Sequence, residues 1–224
     1  ILLEIAIVFL TILSIKHLAD YFNLIGAGSI AIWCGIIVST VFMKQKKLKW
    51  KEFGFKFPIG IKNWLINILI AIGIVILVFS IMGLIVKPTL ESFGLTNPAD
   101  VADRFAFFMG KPLVFIVYLI TVVWFGAALG EELLFRGYLL NRLIDFTGNN
   151  KLGIIIALII HTIIFGMLHI YQGLAGVIAT GCIALIFGSV YFIIKRKLFP
   201  IIIAHGIINS LSLIGLYLND GVIS

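Results

Sequence analysis

Charge is scarce in this chain: 12% of its 224 residues are charged, whereas 62% are hydrophobic. At a mean hydropathy of +1.19 the apolar surface exceeds what one soluble core of this length can bury, which excludes a soluble globular domain. Cysteine is nearly absent. Cys34 and Cys182 lie inside apolar runs, so neither a disulfide framework nor a paired-thiol metal motif is present, and both read as packing residues. No methionine opens the chain at Ile1 and no small-residue cleavage pattern follows, so the first apolar run reads as a retained span whose start is truncated. The net charge of +7 does not point to nucleic acid, because the basic residues sit in short loops between apolar runs, where they set orientation and meet anionic lipid.

What the chain has in abundance is apolar runs of membrane-spanning length. They cover Ile1 to Ile15, Leu24 to Met43, Ile61 to Val86, Pro112 to about Phe146, Leu152 to Ile170, Gly173 to Ile194 and Leu198 to Leu218. The expected fold is therefore all-α, a polytopic transmembrane bundle of about seven spans forming a single membrane domain over residues 1–224. Polar Lys16 to Asp20 should close the first span, and Glu4, near an end, should snorkel to the surface. Lys44 to Pro58 is basic and aromatic-rich, as a headgroup-level connector would be. Between Lys87 and Lys111, Asn97-Pro98-Ala99-Asp100 reads as a helix start, with Val101 to Met109 lying along the membrane surface. Thr147-Gly148-Asn149-Asn150 should end one helix and turn the chain into the next.

Lysine and arginine are distributed unevenly. If the loop after the second span is cytoplasmic, that side holds the seven lysines from Lys44 to Lys62, together with Arg136, Arg142, Lys151, Lys195, Arg196 and Lys197. The other side holds Lys16, Lys87, Arg104 and Lys111. The positive-inside rule then puts the N-terminus in the cytoplasm and the C-terminus outside.

Against this background, Gly130-Glu131-Glu132-Leu133-Leu134-Phe135-Arg136-Gly137 stands out, because each charge near mid-membrane costs about 2.5 to 3.5 kcal/mol on insertion scales. In an α-helix Arg136 lies about 40° from Glu132 and about 140° from Glu131. Glu132 can therefore take the ion pair, leaving Glu131 for chemistry. In the antiparallel hairpin around Gly148, Glu131 and His169 come within about 5 Å of one height, and Glu131 lies about 15 Å below the cytoplasmic face, the helix from Asn141 onward projecting into water. His205 and Asn209 should lie about 12 and 18 Å deep. Phe165 and His169 share one helix face, as do His205 and Asn209. His161, about 80° from His169, is left outside the site.

Glu131-Glu132-x-x-x-Arg136, Phe165-x-x-x-His169 and His205-x-x-x-Asn209, in this order on successive membrane helices, resemble the CAAX-protease and bacteriocin-processing (CPBP, or Abi) family of intramembrane proteases, whose type II members are CAAX prenyl endopeptidases. The similarity covers about residues 112–218, the family-like catalytic core. It implies peptide-bond hydrolysis within the membrane, on a peptide or a lipid-modified or membrane protein as substrate; the basic loops add membrane lipids, and no nucleic acid, as expected partners. In that reading the catalytic residues are Glu131 as general base on water, His169 holding that water, and His205 and Asn209 as oxyanion donors, supported by Glu132, Arg136 and Phe165. A zinc-dependent version with Glu131, His169 and His205 as ligands is the alternative. The lack of a His-Glu-x-x-His pair favours the metal-free version, with no cofactor. A non-catalytic scaffold or immunity protein and a transporter with a protonatable midplane site are the rivals; the absence of an internal repeat speaks against the transporter. The Ile- and Lys-rich composition looks bacterial, with peptide leaders or pheromones as the expected substrates in a bacterial plasma membrane.

Overall fold

The computed structural model describes residues 1–96 and 98–219, and among these residues the regular structure is entirely helical. Seven main helices build it: α1 (Leu2–Tyr21), α2 (Ala27–Gln45), α3 (Ile61–Ser92), α4 (Pro112–Thr147), α5 (Lys151–Met167), α6 (Gly173–Ile193) and α7 (Phe199–Leu218). Six apolar helical stretches, all of these but α5, are long enough to cross a bilayer. The protein is a polytopic helical membrane bundle. α5 has 17 residues, which at 1.5 Å each gives about 25 Å against a hydrocarbon thickness of about 30 Å. α5 is therefore the shortest of the seven main helices, at the lower end of the length a span needs.

α4 is the central element. It packs against α2 on one side and α7 on another, while α1 covers α2, α3 lies on α7 and α6 pairs with α5. Small residues permit the close approaches: a Cβ on Gly126 would stand 1.9 Å from Ser29 Oγ, and one on Gly206 2.5 Å from the Trp124 ring. The hairpin joining α4 to α5 follows the expected turn chemistry. Gly148 takes φ 101°, and the Asn150 side chain caps α5 by accepting from the Gly153 N–H at 2.8 Å.

In several places tertiary packing overrides the sequence reading. α1 continues through Lys16 to Asp20 and ends at Tyr21. Glu4 does not snorkel; its carboxylate is held by Lys46 at 2.7 Å and Arg142 at 2.9 Å, tying α1 to α2 and α4. Asn141 and Arg142 do not project into water but are 3% and 4% exposed, because α1, α6 and the loops beyond supply partners for them. Asn97, where a helix start is expected, lies outside the described residues. Ala99–Phe108 is a 3-10 helix whose C-terminal end is docked rather than lying free on the surface. Phe108 is fully buried there among Phe115, Tyr118 and Tyr217.

The largest departure is in α4 itself. Leu119–Leu139 is wound as a π-helix, with i→i+5 hydrogen bonds and a turn wider than the 3.6 residues of an α-helix. Returning to i→i+4 bonds leaves one carbonyl without its backbone donor. The Leu140 N–H still reaches Phe135 O, so the next carbonyl, that of Arg136, is the one passed over. The Asn141 side-chain amide donates to it at 2.9 Å and to Gly137 O at 2.8 Å. Asn141 thus closes the change of winding, and its own position is set by the Tyr191 hydroxyl at 3.0 Å and Arg196 at 3.1 Å.

Candidate active site

The π-wound part of α4 carries Glu131, Glu132 and Arg136. Glu132 and Arg136 are both 0% exposed, and Arg136 Nη1 donates to Glu132 Oε1 at 2.9 Å, the pairing expected from their spacing. The guanidinium also lies over the Phe165 ring of α5 at 4.7 Å and the Phe187 ring of α6 at 5.2 Å. Cation–π contact on two sides and a carboxylate on the edge together compensate a charge taken out of water. Phe165 belongs to the sequence pattern; Phe187 does not, and only its large apolar side chain in a small-residue helix could have marked it.

His205 of α7 comes to the same carboxylate. Its Nδ1 stands 2.7 Å from Glu132 Oε1, and Phe187 packs against its ring at 5.7 Å. The partner of His205 is thus Glu132, not Glu131 as the depth argument expects. Four helices, α4 to α7, meet at this one layer. A carboxylate only accepts, so Nδ1 carries the proton in this bond and Nε2 is the nitrogen left to act elsewhere.

Glu131 has a different setting. It is partly exposed, and its carboxylate takes no hydrogen bond or ion pair among the described residues. The charge is close enough to act electrostatically on Arg136 and on the Tyr171 hydroxyl. Tyr171 in turn sits beside His169, with ring centroids 6.0 Å apart. His169 stands at the end of α5, its Nδ1 3.0 Å from Phe165 O and its ring 5.1 Å from that of Phe165. A carbonyl also only accepts, which leaves His169 Nε2 as a bare acceptor.

The backbone around His169 to Gln172 is not regular α-helix, a condition tolerated at membrane depth only where it lines a cavity or is covered by protein. The 3-10 helix before α4 provides cover, placing the Arg104 guanidinium 4.5 Å above the Tyr171 ring. Arg104 and Tyr171 are far apart in the chain and carry no spacing signal in the sequence.

Asn209, one turn beyond His205, is half-buried and makes no side-chain hydrogen bond among the described residues. His161 is fully buried against Phe135 and Phe165, and neither ring nitrogen has a partner among the described residues. The zinc reading asks Glu131, His169 and His205 to converge. Among the described residues no group of three His, Cys, Asp or Glu side chains is arranged to hold a metal ion.

Comparison with known families gives one match: residues 112–211 fit the model of type II CAAX prenyl endopeptidase Rce1-like proteins. No curated protein and no solved structure matches the chain. The matched segment runs from the first residue of α4 to the second half of α7 and contains Glu131, Glu132, Arg136, His169, His205 and Asn209, while Arg104 precedes it. Over this segment the chain is similar to type II CAAX prenyl endopeptidase Rce1-like proteins.

Proposed function

We propose that this protein is an intramembrane endopeptidase that hydrolyses a peptide or membrane-associated protein with water activated by Glu131, without a metal ion. The observation that carries the reading is the unequal treatment of two adjacent carboxylates. Glu132 is buried and engaged by Arg136 and His205, while Glu131 is partly exposed with no hydrogen bond among the described residues. A general base needs a carboxylate that is not already committed to a cation, and Glu131 is that group.

In this reading Glu131 takes a proton from water as the water oxygen attacks the scissile carbonyl carbon. The His169 Nε2 accepts the other water hydrogen and so fixes the direction of attack. The tetrahedral oxyanion is met by Asn209 Nδ2–H and His205 Nε2–H. For His205 to donate there, the ring carries both protons, and its positive charge faces the Glu132 carboxylate. Each such donor is worth about 2.7 to 4 kcal/mol in other hydrolases. The C–N bond then breaks as the proton held by Glu131 passes to the leaving amine. Glu132, Arg136 and Phe165 act through their neighbours, holding the layer in register.

The test is cleavage of peptides presented in lipid or detergent. Wild type cleaves, and Glu131→Gln loses activity by about two to four orders of magnitude, the usual worth of a general base. Equal activity of the two proteins overturns the reading in favour of a scaffold or immunity role. Active protein that carries about one zinc per chain and is silenced by a chelator overturns the metal-free version. Mass spectrometry of peptides that accumulate in cells bearing Glu131→Gln identifies the substrate. Charge asymmetry further supports a cytoplasmic N-terminus, and the Ile- and Lys-rich composition a bacterial plasma membrane.

A further inference from the structure

A second polar site lies away from the glutamates, where the segment after α2 meets the loop between α6 and α7. It is a groove of about 460 Å³, within the range of about 300 to 1,000 Å³ usual for small-ligand sites. Lys51, Lys56, Lys195, Arg196 and Lys197 line it, against the single carboxylate of Glu52. That carboxylate accepts from the Lys49 backbone N–H at 3.1 Å. Arg196 is turned to Asn141 Oδ1 at 3.1 Å and Asn149 Oδ1 at 3.4 Å. The four lysine ammonium groups have no hydrogen-bond or ion-pair partner among the described residues.

The groove is a built feature. The Leu198 N–H donates to Gly54 O at 3.2 Å, and a Cβ on Gly54, at φ 92°, would fall 1.7 Å from Arg196 O. Lys195 and Arg196 both take the left-handed conformation, at φ 59° and 58°, which non-glycine residues hold only where the surroundings impose it. The other wall is apolar and aromatic, with Phe57 5.1 Å from Phe199 and Phe199 5.2 Å from Trp64. α3 begins, α6 ends and α7 begins beside it, which puts the groove at headgroup level.

We propose that this groove binds the phosphate of an anionic phospholipid headgroup, the lysines meeting the phosphate and the Phe57–Phe199 wall meeting the start of an acyl chain. Like charges lining one groove repel one another until an anion joins them. A ligand half phosphate and half hydrocarbon matches the two walls, and the membrane delivers it at this level.

Native mass spectrometry of the purified chain, in micelles holding equal phosphatidylglycerol and phosphatidylcholine, tests the assignment. Wild type should retain phosphatidylglycerol over phosphatidylcholine by about fivefold or more. The variant Lys51→Gln/Lys56→Gln/Lys195→Gln/Lys197→Gln should lose that preference. A charge-matched variant outside the groove, Lys44→Gln/Lys47→Gln/Lys62→Gln/Lys151→Gln, should keep it. Equal loss in both variants overturns the site in favour of diffuse charge, and equal retention of both lipids by wild type overturns it outright. Inorganic phosphate should not displace the lipid; its binding in place of phosphatidylglycerol would make the groove a site for soluble phosphate.

Discussion

Glu131 and Glu132 differ by one step along α4 and by everything that surrounds them. Breaking a buried ion pair leaves an uncompensated charge and costs about 3 to 5 kcal/mol. Arg136→Met should therefore lower the unfolding midpoint in detergent strongly, whereas Glu131→Gln, which removes no hydrogen bond, should leave it within about 0.5 kcal/mol of wild type. Thermal unfolding of the two variants side by side checks this, and equal destabilisation would contradict the division of labour. The separation of the glutamates was legible from their spacing alone. That His205 belongs to Glu132 was not, because helical period gives a direction on one helix and says nothing about which neighbour stands opposite.

At the scale of the element, α4 is held in two windings. The change between them depends on Asn141, whose amide serves the carbonyl of Arg136 at 2.9 Å. Asn141→Ala should cost about 1 to 3 kcal/mol, the penalty of a buried polar group left unpaired. It should also disturb the pair formed by Glu132 and Arg136, read as a fall in kcat larger than any change in KM. The pairing of α5 with α6 rests on small residues. A Cβ on Gly166 would meet Val177 O at 2.7 Å, while one on Gly181 meets nothing closer than 3.8 Å. Gly166→Ala should then destabilise by about 1 to 3 kcal/mol, as overpacking does, and Gly181→Ala by much less, measured again by unfolding in detergent. Helix positions and the Gly148 turn could be read from apolar runs and turn residues. The π-winding could not, since the same apolar pattern suits either hydrogen-bond register.

For the whole molecule, the uneven distribution of lysine and arginine fixes the expected orientation. In a Cys34→Ala/Cys182→Ala background, a membrane-impermeant maleimide applied to intact cells should label Glu91→Cys, in the last turn of α3, and should spare Asn149→Cys in the turn before α5. The reverse pattern would invert the topology. Only one of these faces carries the basic groove, so the same experiment states which leaflet supplies its lipid.

The sequence by itself determined that this is a membrane bundle, where its helices run and which side chains are too polar to sit in lipid without a reason. Those properties depend on composition and local period, which a chain carries before it folds. Only the tertiary structure decided that Glu4, Asn141 and Arg142 tie elements together, and that His205 closes on Glu132 while Glu131 stays uncommitted. These are contacts between residues distant in sequence. They exist because packing α4 among α2, α5, α6 and α7 brings a small number of charges into one layer, where each must find its partner or remain available for chemistry.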